Sequence, residues 1–247
     1  MTIPATTIDG LLNRRVTLEQ PAKGYRVAID TVLLAASVPA RAGEFILDIG
    51  CGVGGASLCV ACRVPGLNGL GIDIQAGLVT LFRRNIAANK FATGFEAQEA
   101  DITQSRPSGL FDHVLMNPPF HEEARHDVSP DPVKQTANSQ MATDLGLWII
   151  AGMAALKKGG TLSLIHRSSR LEEILEHLRK DFGAAEILPL LPRRGEGPKR
   201  LIIRAQKGGV FAPRPCLPLV LHKEEGGYTE AADAILRECQ PLVFQSP

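Results

Sequence analysis

No segment of this 247-residue chain stays apolar over the length a bilayer crossing needs, so the sequence offers no membrane-spanning helix. Its first nine residues, Met1 to Asp9, lack both a basic start and an apolar stretch, which excludes a secretion signal. Cysteine is sparse and irregularly spaced. Five residues, an odd set, fit reduced thiols in a cytoplasm better than a disulfide framework. Charge of one sign is also missing: the net value is +1, so the whole-protein field does not announce a nucleic-acid partner. No internal repeat or low-complexity tract interrupts the chain. The hydrophobic share of 45% and the length suffice for one large α/β domain with a substantial core.

Short apolar runs alternate with helical patterns. Strands are expected at 45–49, 70–74, 95–100, 111–116, 161–165, 186–191 and 200–205, and helices at 56–63, 75–89, 144–156 and about 169–181. This alternation predicts a doubly wound, seven-stranded mixed sheet with helices on both faces. Residues 1–40 read as a lead-in, 41–207 as the core and 208–247 as an extension of the same domain. The stretch from His121 to Met141 has no periodicity and reads as a long loop, of a kind that is functional or mobile.

Between the first core strand and its helix stands Asp48-Ile-Gly50-Cys-Gly52-Val-Gly54-Gly55. Glycines there let a backbone approach a ligand, and the helix start presents free N–H groups. The spacing also fits a dinucleotide turn, so a nicotinamide oxidoreductase stays open. Asp48 favours S-adenosylmethionine, because a carboxylate suits a methionine ammonium and repels a pyrophosphate. Asp73, with Ile74, ends the second core strand where an acid can accept both ribose hydroxyls, and Asp101-Ile102 follows the third, where an adenine amino group and ring nitrogen can be met.

Asn117-Pro118-Pro119-Phe120 follows the fourth core strand and is the most specific feature of the chain. An amino nitrogen conjugated to a ring is a poor nucleophile. Two acceptors on its hydrogens, the Asn117 side-chain oxygen and the Pro118 carbonyl, favour the tetrahedral form of the transition state. The prolines stiffen that carbonyl, and Phe120 offers a face for a planar target. No general base is required. Cys59 and Cys62 on the first core helix, and Trp148 on an apolar helix, read as packing. His121 and His126 with their acidic neighbours read as loop surface, and no metal site is expected.

Together these residues resemble the class I, Rossmann-like methyltransferases that modify planar amino or amide nitrogens. Within that group the chain is similar to the bacterial tRNA1(Val) adenine-N6 methyltransferases over nearly its whole length. The likeness includes the lead-in from Gln20 to Ala35, the stretch from Lys157 to Arg170, Lys199-Arg200 to Lys207-Gly208, and the tail from Leu219 to Thr229. It implies S-adenosylmethionine as cofactor, tRNA as substrate, a lead-in helix closing over the cofactor, and Gly24, Asp30 and Thr31 near that pocket. Many members carry Tyr where this chain has Phe120. The same turn resembles that of ribosomal RNA guanine-N2 and release-factor glutamine-N5 methyltransferases, so those targets stay open, as does a non-catalytic RNA-binding module.

Charge is uneven along the chain. From Leu190 to Pro215 stand Arg193, Arg194, Lys199, Arg200, Arg204, Lys207 and Arg214 against one acid, Glu196. A strand edge with charged gatekeepers would account for such a run. A tRNA substrate needs its phosphates neutralised, and Arg193, Arg194 and Lys199 are the residues expected to do so.

Overall fold

The computed structural model describes residues 5–24, 26–102, 104, 110–119 and 145–247. Two strands, β1 (Thr6–Leu11) and β2 (Val16–Pro21), pair with each other as an antiparallel hairpin. The others, β3 (Phe45–Ile49), β4 (Asn68–Asp73), β5 (Phe95–Glu99), β6 (Phe111–Met116), β7 (Leu156–Arg167), β8 (Phe182–Leu191), β9 (Arg200–Pro215) and β10 (Leu219–Val220), form one sheet. Its order is β10-β8-β9-β7-β6-β3-β4-β5. From β7 to β5 all neighbours are parallel, and β9 runs against both β7 and β8. The seven expected strands are β3 to β9, and the expected mixed sheet has gained β10 at its edge.

The central strands are apolar on both faces because both faces are covered. Alternate residues feed two cores. Ile46, Leu115, Ile165 and Ile202 enter one, together with side chains of helices α1 (Ile29–Ser37), α2 (Gly55–Arg63) and α3 (Ala76–Ala88). Leu47, Val114, Met116, Leu164 and Ile203 enter the other, with α4 (Leu145–Ala155) and α5 (Leu171–Leu178). The last helix, α6 (Glu230–Leu236), returns to the first face beside α1.

The hairpin was not expected from the lead-in. Its outer partner on the β2 side is a helix. Asn85 on α3 and Asn89 just past its end act as a short strand: the Asn85 side chain accepts from Glu19 N (2.7 Å) and donates to Glu19 O (2.9 Å), and Asn89 does the same for Thr17 (3.0 and 2.7 Å). Buried Gln20 then joins the hairpin to the lead-in, donating to Asp9 and accepting from Val27 N. Arg26 closes the clasp on Asp9 at 2.7 Å.

The tail is woven into the sheet. Gly208 and Gly209, both at left-handed φ, turn β9 back so that Ala185 of β8 pairs with Ala205 on one side and Pro213 on the other. The β10 strand extends that second edge, and Leu242 N donates to Ala36 O of α1.

Candidate active site

Strand order reverses between β3 and β6, and in open α/β sheets ligands lie at such a point, beyond the carboxyl ends of the strands. There Ile49 pairs with Met116, so Gly50 and Asn117 follow the last paired residues of two adjacent strands.

The glycine turn is anchored from below. Gly50 N and Cys51 N both donate to Ile72 O (2.8 and 3.0 Å), and Gly52 N donates to Asp73 Oδ2 at 2.9 Å. Gly54 is the N-cap of α2 at φ +84°, with the Phe82 ring where a side chain would stand. Above Gly52 there is open space, whereas a Cβ on Gly50 would meet the Trp148 ring at 2.5 Å. A ligand can therefore approach the turn closely over Gly52, beside the Trp148 ring.

Asp48 is 3% exposed, and its Oδ2 accepts from the Ser57 hydroxyl (2.7 Å) and Ser57 N (3.3 Å), fastening α2 to β3. Burial pushes its carboxyl up to about 7, the Ser57 bonds oppose that, and nearby Asp73 adds to the rise. A cation at the turn would relieve this, which fits a methionine ammonium better than a phosphate. Asp73 is also raised by burial, while donors from Gln75 N and Gly52 N hold it down. Beside it Ile74 is 62% exposed, an apolar surface next to a carboxylate, as a nucleoside with its ring and ribose requires. Ala100 N donates to Asp73 O, which brings Asp101 alongside; Asp101 closes its turn with Gln104, and Ile102 is buried. These contacts suit S-adenosylmethionine.

Asn117 is half-buried, Pro118 buried and Pro119 exposed. Phe120 and residues 121–144 lie outside the described residues, and with them the stretch from His121 to Met141 that the sequence reads as a loop. Thr31 packs with Val27 over the start of α2, whereas Gly24 is exposed. The Asp30 carboxylate accepts from Arg200 Nε at 3.1 Å, where α1 meets the start of β9. Trp148 against Gly50 was missed; ninety-eight residues separate them and no sequence pattern joins them.

The other half of this edge is basic. Since β9 is antiparallel to β7 and β8, the end of β8 and the start of β9 lie beside the end of β7. Ser168 N donates to Lys199 O (3.2 Å), which fixes the connection carrying Arg193, Arg194 and Lys199, all exposed. Arg193 has Glu196 at 3.7 Å. At the end of β7, burial and then Arg170, Arg167 and Arg200 hold the His166 imidazole down at about 4, against the opposing pull of Glu173. Two members of the basic run are structural instead: Arg204 pairs with Glu186 under Phe244, and Lys207 caps the end of α4 at Met153 O and Leu156 O. Acids therefore gather at the ends of β3, β4 and β5, and bases at those of β7, β9 and β8.

Comparison with known proteins agrees with this layout. Residues 25–189 match the methyltransferase small domain family. A tRNA1(Val) (adenine(37)-N6)-methyltransferase of Vibrio cholerae is 27% identical, over 91% of this chain and 92% of its own. An rRNA N(6)-adenosine-methyltransferase of Caenorhabditis elegans is 25% identical over 70% of this chain and 75% of its own. Among solved structures, a predicted O-methyltransferase from Agrobacterium tumefaciens superposes with a TM-score of 0.72 at 27% identity, covering 87% of this chain and 98% of that one.

Proposed function

The chain belongs to the methyltransferase small domain family, and on that footing we propose that it methylates N6 of an adenine in RNA, in tRNA beside the anticodon. The observation that carries this reading is Asn117-Pro118 standing next to Gly50 at the switch point. When bound, S-adenosylmethionine supplies a methyl group on a sulfonium, an electrophile ready for in-line displacement. The chain's own residues bind and orient. The glycine turn and Asp48 receive the methionine part, Asp73 and Ile74 the ribose and ring, and Asp101-Ile102 the adenine of the cofactor.

Asn117 and the Pro118 carbonyl accept from the target amino group, stabilising the developing tetrahedral nitrogen. Pro119 and Phe120 flank the target base. An oxygen nucleophile carries one hydrogen and needs a base; an amino group with two acceptors does not. That favours nitrogen as the target atom. RNA as substrate is supported by the basic half of the edge, where Arg193, Arg194 and Lys199 can neutralise phosphates, and by the names of the relatives. Such a substrate places the protein in the cytoplasm.

Incubation of total unmodified tRNA with labelled cofactor, followed by nucleoside analysis, tests this. N6-methyladenosine is expected. Labelled N2-methylguanosine, or label only in protein glutamine, would replace the target while keeping the reaction class, and no transfer to any acceptor would defeat the assignment.

A further inference from the structure

A cleft of about 410 Å³ opens on the first face of the sheet. Leu11, Arg14, Val27, Ile29, Tyr228 and Arg237 line it. We propose that this cleft is a second nucleotide site, which seats an unstacked nucleotide of the same RNA strand that carries the target base. The proposal rests on the RNA reading above and deepens it.

Position comes first. Ile29 precedes Asp30, whose carboxylate holds Arg200, the first residue of β9. On the opposite wall Tyr228 bridges to His222, and His222 N donates to Pro192 O at 3.0 Å, one residue before Arg193. The cleft thus adjoins the basic segment at two independent places. A strand leaving the Asn117 turn can follow the ends of β7, β9 and β8, past exposed Arg193, Arg194 and Lys199, to reach it. Val27 also packs on Gly55, so the cleft backs directly onto the cover of the glycine turn.

Chemistry comes second. The Tyr228 ring is held by His222, stacked at 5.1 Å between centroids and 23° between planes. An aromatic surface already fixed in place loses little rotamer freedom when a base stacks on it. Arg14 is exposed at the rim, and Arg237, ion-paired to Asp233 at 3.1 Å, stands beside it. The volume is that of a small-ligand pocket, ~300–1,000 Å³. The rim turn is also unusual. Leu12, Asn13 and Arg14 hold successive φ values of 52°, 54° and 63°, and Asn13 and Arg15 tie the turn to Glu238. Side-chain-bearing residues rarely adopt that conformation, and it collects at ligand clamps.

Steady-state methylation of unmodified tRNA by wild type, Tyr228→Ala, Tyr228→Phe and Arg14→Glu decides the matter, with Lys180→Glu at the opposite end of the sheet as charge control. Loss of one stacked base or one phosphate contact should raise KM for tRNA by about tenfold in Tyr228→Ala and Arg14→Glu. Tyr228→Phe and Lys180→Glu should match wild type, and calorimetric affinity for S-adenosylmethionine should be unchanged in all. If Tyr228→Ala does not fold, Arg14→Glu alone decides. An active wild type with unaltered KM in Arg14→Glu overturns the cleft and leaves the RNA function standing. A wild type that methylates no RNA overturns both.

Discussion

Asn117 steps off β6 immediately after Met116 pairs with Ile49, and so stands beside Gly50 at the one place where the sheet order reverses. The residue proposed to hold the target amino group and the turn proposed to hold the methyl donor are thus set by a single register. Their spacing is fixed by backbone pairing and not by loop conformation.

Replacing Asn117 with Ala should therefore act on chemistry. Turnover is expected to fall by about two to three orders of magnitude, with most cofactor affinity retained, because the lost acceptor serves chiefly the transition state. Single-turnover rates alongside calorimetry check it. Near-normal turnover would make Asn117 structural.

Asp73→Ala should do the reverse. Its carboxylate holds Gly52 N and Gln75 N, and the ribose hydroxyls are expected to complete its set of donors. Affinity for S-adenosylmethionine should drop strongly, since hydrogen bonds to a charged acceptor are among the stronger ones. Equal affinities for wild type and variant, or tighter binding of NAD by wild type, would sink the cofactor assignment.

The seven core strands were legible in outline. The buried runs at 45–49 and 111–116 coincide with β3 and β6, because burial on both faces leaves a mostly apolar run, broken by Asp48 in one and Asp112-His113 in the other. Strand β7 begins earlier than expected: Leu156 already pairs with Phe111, and Lys157-Lys158-Gly159-Gly160, with the composition of a turn, bulges out before pairing resumes at Thr161. The β1–β2 hairpin left no readable signal. Its outer strand exposes Ile8 at 75%, its turn contains neither Gly nor Pro, and its backbone partners are two asparagines more than sixty residues away. The placement of a local motif was readable, as for Asp48 to Gly55 after β3 and Asn117 to Pro119 after β6. The site was opaque where contact is made at long range, as for Asp30 with Arg200 and Trp148 with Gly50.

Two buried groups should tilt stability with pH in opposite senses. Asp48 ordinarily titrates at 3.8 and is raised to about 7. Between those values the folded chain holds a proton that the unfolded chain has lost, so this group's contribution is full at low pH and declines as pH rises toward 7. His166, lowered from 6.5 to about 4, contributes above 6.5 and loses its contribution as pH falls toward 4. In urea unfolding across this range, Asp48→Asn should gain relative to wild type as pH rises. An unchanged difference at every pH would contradict the buried carboxylate.

Reversing Arg193, Arg194 and Lys199 to Glu should raise KM for tRNA and flatten its dependence on salt, since fewer counterions are released from the phosphates. Cofactor affinity should stay as it is, because these side chains lie three strands from the glycine turn. Filter binding over a salt series measures both quantities. Unaltered affinity and slope would leave the segment a solvated edge.

Trp148 is the chain's single tryptophan, and its ring lies against Gly50. Ultraviolet emission from indole therefore arises at one point in the molecule, the wall of the glycine turn. Any ligand that settles over Gly52 changes the polarity and water contact of that ring, so occupancy of the turn can be followed by fluorescence in the unlabelled protein. The same signal would separate ligand arrival from events at the cleft, whose lining carries Tyr228 and no indole.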